Sequence, residues 1–139
     1  MCLNLEQIKK IAIVDKNAEK IIKNFMPGPL TIILKKKKDL DNYITNGKQT
    51  IAVRLATSKE LEYIIKKINT PLFMTSANIS GELPCNNLGE IINTFPDIDA
   101  VLEGKVKYNE ASTILDCSSS KIMIIREGPI LYSSILKII

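Results

Sequence analysis

The feature that most constrains this chain is a change in the spacing of its apolar residues. Leu5, Ile8, Ile11 and Ala12 recur at intervals that place them on one face of a helix. Ala18, Ile21, Ile22 and Phe25 repeat the pattern, with Asn17 suited to cap that second helix. Pro27-Gly28-Pro29 ends the helical period and forces a turn, after which Leu30 to Leu34 (LTIIL) is β-rich. Thr50 to Arg54 is expected as the next strand, with Thr50, Ala52 and Arg54 on one side. Ser58 then caps a helix carrying Leu61, Ile64, Ile65 and Ile68, which Thr70-Pro71 stops. Leu72-Phe73-Met74 reads as a short buried strand, Leu88 to Thr94 as a short helix, and Ile98 to Leu102 as a strand followed by a turn at Glu103-Gly104. Ser112 to Asp116 and Lys121 to Ile125 read as antiparallel strands joined at Cys117 to Ser120, and Ile130 to Ile139 as a closing helix. Helices interleave with strands early and strands cluster late. The expected fold is therefore one α/β domain over 1–139, a twisted mixed open sheet of parallel and antiparallel strands with flanking helices.

Chemistry concentrates in Pro71 to Gly81, PLFMTSANISG. An apolar run ending in small hydroxyl and amide residues and then a glycine is expected to place polar groups at a sheet's carboxyl edge, where open α/β sheets bind ligands. Ser76 and Asn78 supply donors and acceptors there, but the chain has no histidine to activate a serine, so the loop reads as a substrate cradle. Arg54, at a strand end, is equally suited to gripping a carboxylate or phosphate and to a surface ion pair.

Composition narrows the classes. A length of 139 residues, 45% hydrophobic and 24% charged, suits one domain with its own core. No apolar run is long enough to span a bilayer and no signal-peptide pattern opens the chain, so a cytoplasmic location is expected. Cys2, Cys85 and Cys117 are odd in number and far apart, which favours free thiols over a disulfide framework or structural zinc. The net charge of +4 and the run Lys35 to Lys38 admit weak contact with RNA, although such a run is more often a solvated turn.

Four segments occur in order: Pro27-Gly28-Pro29-Leu30-Thr31; Thr50-x-x-x-Arg54; Ser76-Ala77-Asn78-Ile79-Ser80-Gly81; and Ser112-Thr113-Ile114-Leu115-Asp116 with Arg126-x-Gly128. As an ordered set they resemble the YrdC family of threonylcarbamoyl-AMP synthases. The resemblance implies a nucleotidyltransferase that joins L-threonine, bicarbonate and ATP into threonylcarbamoyl-adenylate and pyrophosphate. A separate transferase complex then carries the group to an adenosine beside the tRNA anticodon, and double-stranded RNA binding belongs to the same family picture. It implies that Arg54, Ser76 and Ser112 hold threonine, while Thr50, Asn78, Asn86 and Arg126 line the ATP site. Mg²⁺ would travel with the nucleotide, and no side chain is implied as a covalent catalyst or resident metal ligand.

The sequence departs from that family at Ala56, where a proline is usual, and in the loop before Asn86. Family members also carry a preceding segment resembling PTDTxYGL and a basic stretch. The sheet is accordingly expected to lack its N-terminal strand and to expose an edge, which puts turnover by this polypeptide alone in question. Two rivals stand beside the synthase: a non-catalytic nucleotide- or RNA-binding module of the same fold, and a fragment without activity.

Overall fold

The computed structural model describes residues 1–102, 104 and 111–139. They fall into two compact units, Met1–Leu72 with Glu110–Ile139, and Phe73–Asn109.

The first unit is built on a four-stranded sheet of β1 (Leu30–Lys35), β2 (Thr50–Val53), β3 (Thr113–Asp116) and β4 (Met123–Arg126), in the order β2-β1-β3-β4. β1 runs parallel to β3 and antiparallel to β2, and β3 pairs antiparallel with β4, which is the mixed sheet expected. Alternation along the strands sends Leu30, Ile32, Leu34, Val53, Thr113 and Leu115 to one face, and all of them are buried. Against that face lie Ile8 of α1 (Leu5–Ile11), Ala18, Ile21 and Ile22 of α2 (Lys16–Phe25), and Ile135 of a terminal helix, Tyr132–Leu136. Each fully buried isoleucine or leucine contributes about 1.5–3 kcal/mol, so this face is what holds the unit together.

The helices start where side chains satisfy their first amides. Asn4 accepts from Gln7 N at α1, and Ser58 accepts from Leu61 N at α3 (Lys59–Ile68). The second helix begins earlier than expected. Asp15 accepts from Ala18 N, which leaves Asn17 inside the first turn, and a carboxylate at this end gains from the helix dipole as well as the hydrogen bond. Asn69 ends α3 in the left-handed region at φ 54°.

The lysine run differs from a solvated turn. Lys35 ends β1, and Lys36 is buried, its Nζ donating to Leu40 O at 2.6 Å while Ala12 bridges its backbone. This cation is spent on a loop carbonyl inside the fold.

The second unit is organised differently. Among its described residues there is no strand, and α4 (Leu88–Thr94) is its one helix. The expected strand at Leu72–Met74 does not form. Leu72, in the first unit, exchanges backbone hydrogen bonds with Met1 at 3.0 and 2.8 Å, but pairing stops there, and Phe73 and Met74 are 76% and 51% exposed. The expected strand at Ile98–Leu102 is also irregular, with Ile98 and Leu102 47% and 60% exposed. An apolar run becomes a strand only when another backbone takes up its hydrogen bonds. Glu103 of the expected turn lies outside the described residues.

Candidate functional site

The open face of the sheet carries the polar cluster. Thr31 projects there from β1, and Ser112 immediately precedes β3, its parallel neighbour; the two hydroxyls stand 3.1 Å apart. Arg126, at the end of β4, donates from Nε to Ser112 O at 3.0 Å and reaches Ser112 Oγ from a terminal nitrogen at 3.4 Å. Continuing the antiparallel register one step beyond Ile32–Val53 brings Arg54 opposite Thr31 on the same face. Arg54 is half-buried, with its Nε shielded from solvent. One end of one sheet face therefore collects two hydroxyls and two arginines.

Arg126 is paired with Ile114 in the sheet, and the segment that follows it is anchored on Thr113. Thr113 is fully buried, and its Oγ1 donates to Ile130 O at 2.8 Å while accepting from Gly128 N at 3.0 Å and Ile130 N at 3.1 Å. Gly128 has no room for a side chain: a Cβ would press on Ala111 O and lie 2.7 Å from Thr113 N and 2.8 Å from Ser112 C. The glycine is required by the close approach of the backbone of residues 111–113.

Of the residues expected to form the site, Arg54, Ser112 and Arg126 come to this one end. Thr50 shares their face but begins β2, paired with Lys35, about 13 Å along the strand from Arg54. Arg126 thus sits with Ser112 and away from Thr50, although the family resemblance groups it with Thr50. The cluster also lies at the amino ends of the parallel pair β1 and β3, and the Ser76–Asn78 loop follows no strand of the sheet, so the expected carboxyl edge is not the site's location.

Ser76, Asn78 and Asn86 belong to the second unit and are set by local hydrogen bonds. Asn78 N donates to Ser76 O at 3.1 Å, and Asn78 Nδ2 closes the loop onto Ile79 O at 2.9 Å and Glu82 O at 3.1 Å. Its Oδ1 is buried and accepts no hydrogen bond from the described residues. Ser76 is exposed. Asn86 is exposed too, and its backbone N donates to Glu90 Oε2 at 2.7 Å. That contact belongs to a cap in which Glu90 N donates to Asn87 Oδ1 at 3.0 Å and Asn87 Nδ2 donates to Glu90 Oε1 at 2.6 Å.

Sequence reasoning missed Thr31 as a site residue. It lay in a recognised motif, but nothing local announces that a residue 81 positions away brings its hydroxyl within reach. Among the described residues no three metal-ligating side chains cluster, and no helix is long and apolar enough to cross a membrane.

Comparison with known proteins finds relatives of the chain in sequence and in fold. Residues 1–128 match the model of the Sua5/YciO/YrdC family, which is described as "Telomere recombination". A Methanocaldococcus jannaschii protein named "Putative threonylcarbamoyl-AMP synthase" is 42% identical over 127 residues, covering 89% of this chain and 58% of the relative. A Pyrococcus abyssi threonylcarbamoyl-AMP synthase is 29% identical over 139 residues, covering 98% of this chain and 41% of the relative. The crystal structure of P. abyssi Sua5 complexed with L-threonine superposes with a TM-score of 0.90 at 28% identity, covering 99% of this chain and 42% of that one. The chain thus spans between 41% and 58% of the length of these relatives.

Proposed function

The chain belongs to the Sua5/YciO/YrdC family, and we propose that it forms the substrate-binding sheet of an L-threonylcarbamoyladenylate synthase. In the reaction the threonine amine bonds to the bicarbonate carbon with loss of water, an oxygen of the resulting N-carboxylate bonds to the α-phosphorus of ATP, the bond from that phosphorus to the oxygen bridging to the β-phosphate breaks, and pyrophosphate leaves. The product is then passed by a transferase complex to the adenosine next to the tRNA anticodon.

One observation carries this reading: Ser112, Thr31 and Arg126 are joined by hydrogen bonds at one end of the open sheet face, with Arg54 beside them in register. Arginine grips a carboxylate through two parallel N–H donors, and hydroxyls complete the recognition of an amino acid. Arg54, Ser76 and Ser112 would hold threonine, and Arg126, Asn78, Asn86 and Thr50 the nucleotide. At about 13 Å, the separation of Thr50 from Arg54 is one that a molecule as extended as ATP can bridge. Mg²⁺ would arrive on the ATP phosphates. Donors and cations without a nucleophile accelerate such a reaction by holding two substrates together and by stabilising developing charge.

The test is calorimetry of Mg-ATP binding to this chain, with and without L-threonine. ATP binding that tightens when threonine is present is the expected result, and Arg54→Ala should remove the threonine effect. No heat with either ligand overturns the proposal. ATP binding indifferent to threonine, or RNA binding that falls steeply with added salt, would transfer the assignment to a non-catalytic module.

A further inference from the structure

The hydrogen bond between Thr31 and Ser112 has a direction that the surrounding chemistry selects. Ser112 Oγ has one proton and two lone pairs. One lone pair is approached by Arg126 at 3.4 Å, and a guanidinium can only donate. Two arrangements then remain for the 3.1 Å contact with Thr31. If Ser112 donates to Thr31, the serine presents a lone pair to the open face. If Thr31 donates to Ser112, both lone pairs are engaged and the serine's proton is left to point at a ligand. A carboxylate drawn in by Arg54 accepts hydrogen bonds and gives none, so only the second arrangement serves it.

We propose that Thr31 is a positioning residue, whose hydroxyl donates to Ser112 Oγ and so turns the Ser112 proton toward the carboxylate of a bound amino acid. Thr31 acts through Ser112 and needs no contact with the ligand. Its place is fixed by the sheet. β1 and β3 are parallel neighbours with Thr31 in register with Ile114, and Ser112 lies two residues before Ile114 on the same face. A β-branched side chain has few χ1 choices, so the hydroxyl is held toward its partner at little entropic cost. The inference rests on the amino-acid-binding reading above and adds to it the residue that sets the polarity of the serine.

The experiment is a double-mutant cycle on L-threonine affinity, measured by calorimetry with Mg-ATP present. Thr31→Val keeps the shape and the branching but removes the donor. In the otherwise unaltered chain it should weaken threonine binding about tenfold, the scale of one hydrogen bond. In a Ser112→Ala background the same change should cost less than about twofold, because the group it acts through is gone. Thr31→Ser restores a donor and should bring affinity back to within about threefold of the unaltered chain. A purely structural role for Thr31 would weaken binding equally in both backgrounds, and that result overturns the proposal. So does a Thr31→Val chain that binds as tightly as the unaltered one. If the unaltered chain binds Mg-ATP but no threonine, the amino-acid reading itself has failed and this inference falls with it; the first two outcomes leave that reading intact.

Discussion

The two units of this chain are stabilised by different physics. In the first, Leu30, Ile32, Leu34 and Leu115 are completely buried on one sheet face against Ile8, Ile21 and Ile135 of the helices. In residues 73–102 no residue is buried, and order comes from local hydrogen bonds: the Asn78 amide closing its own loop, and the Asn87–Glu90 cap starting α4. Candidate site residues occur in both. Ser112 and Arg126 are placed by long-range packing, whereas Ser76, Asn78 and Asn86 are placed by neighbours a few residues away.

Substitutions can break that contrast. Ile32→Ala removes fully buried methyl groups from the centre of β1 and should destabilise the chain by about 3–4 kcal/mol in urea unfolding. Leu83→Ala, at a side chain 90% exposed, should change stability by less than about 0.5 kcal/mol. A similar cost for the two would mean that the units do not differ as described. Gly128→Ala forces a Cβ into the backbone around Ser112 and Thr113, and a loss of about 2–3 kcal/mol is expected, together with weaker threonine binding as Ser112 is displaced.

The cysteines test the same comparison without changing the sequence. All three are free; Cys2 and Cys117 are buried in the first unit, while Cys85 is only partly buried in the second. Burial raises the Cys2 thiol above its ordinary range and pushes Cys117 up to about 12, the latter helped by Asp15 and Asp116, so neither is a ready thiolate near neutral pH. A thiol reagent applied to the native chain should therefore modify Cys85 first and reach Cys117 only on unfolding, with mass spectrometry giving the order. Early labelling of Cys117 would show that the sheet unit opens as readily as the other.

Two smaller effects sharpen the picture. Asn87→Ala removes the cap of α4 and should speed amide exchange across residues 88–94 by about fivefold, the counterpart of about 1 kcal/mol, while exchange in β1 and β3 stays unchanged. Lys23 of α2 and then Lys9 of α1 hydrogen-bond Glu19 and hold its carboxyl below the ordinary value. A group whose pKa is lowered on folding stabilises the fold above its unfolded pKa, and that contribution is lost as pH falls through the folded value. Acidification through the carboxylate range should thus slightly lower the urea midpoint, and Glu19→Gln should flatten the response; the pair is exposed, so the effect is the smallest of these.

What was legible in the sequence was local. The periodicity of Leu5 to Ile11 and of Ala18 to Ile22, the cap at Ser58 and the mixed order of helices and strands depend on neighbours within a turn or two, and the structure contains them. The second cap was misplaced by two residues because Asp15 and Asn17 are both good caps, and the carboxylate's gain from the dipole decides between them only in the folded helix. Leu72 to Met74 and Ile98 to Leu102 looked like strands on apolar content, and only the presence or absence of a partner backbone settles such a segment. Lys36 looked like one of four equivalent cations until Leu40 O claimed it.

The sequence by itself determined the fold class, the family and the residue types available for binding, because periodicity, caps and ordered motifs are written along the chain. Tertiary structure alone decided that Thr31 joins Ser112, that Arg126 belongs with them, and that Thr50 stands at the far end of its strand. Those placements follow from strand order and register, which set distances between residues far apart in the chain, and no local pattern encodes either.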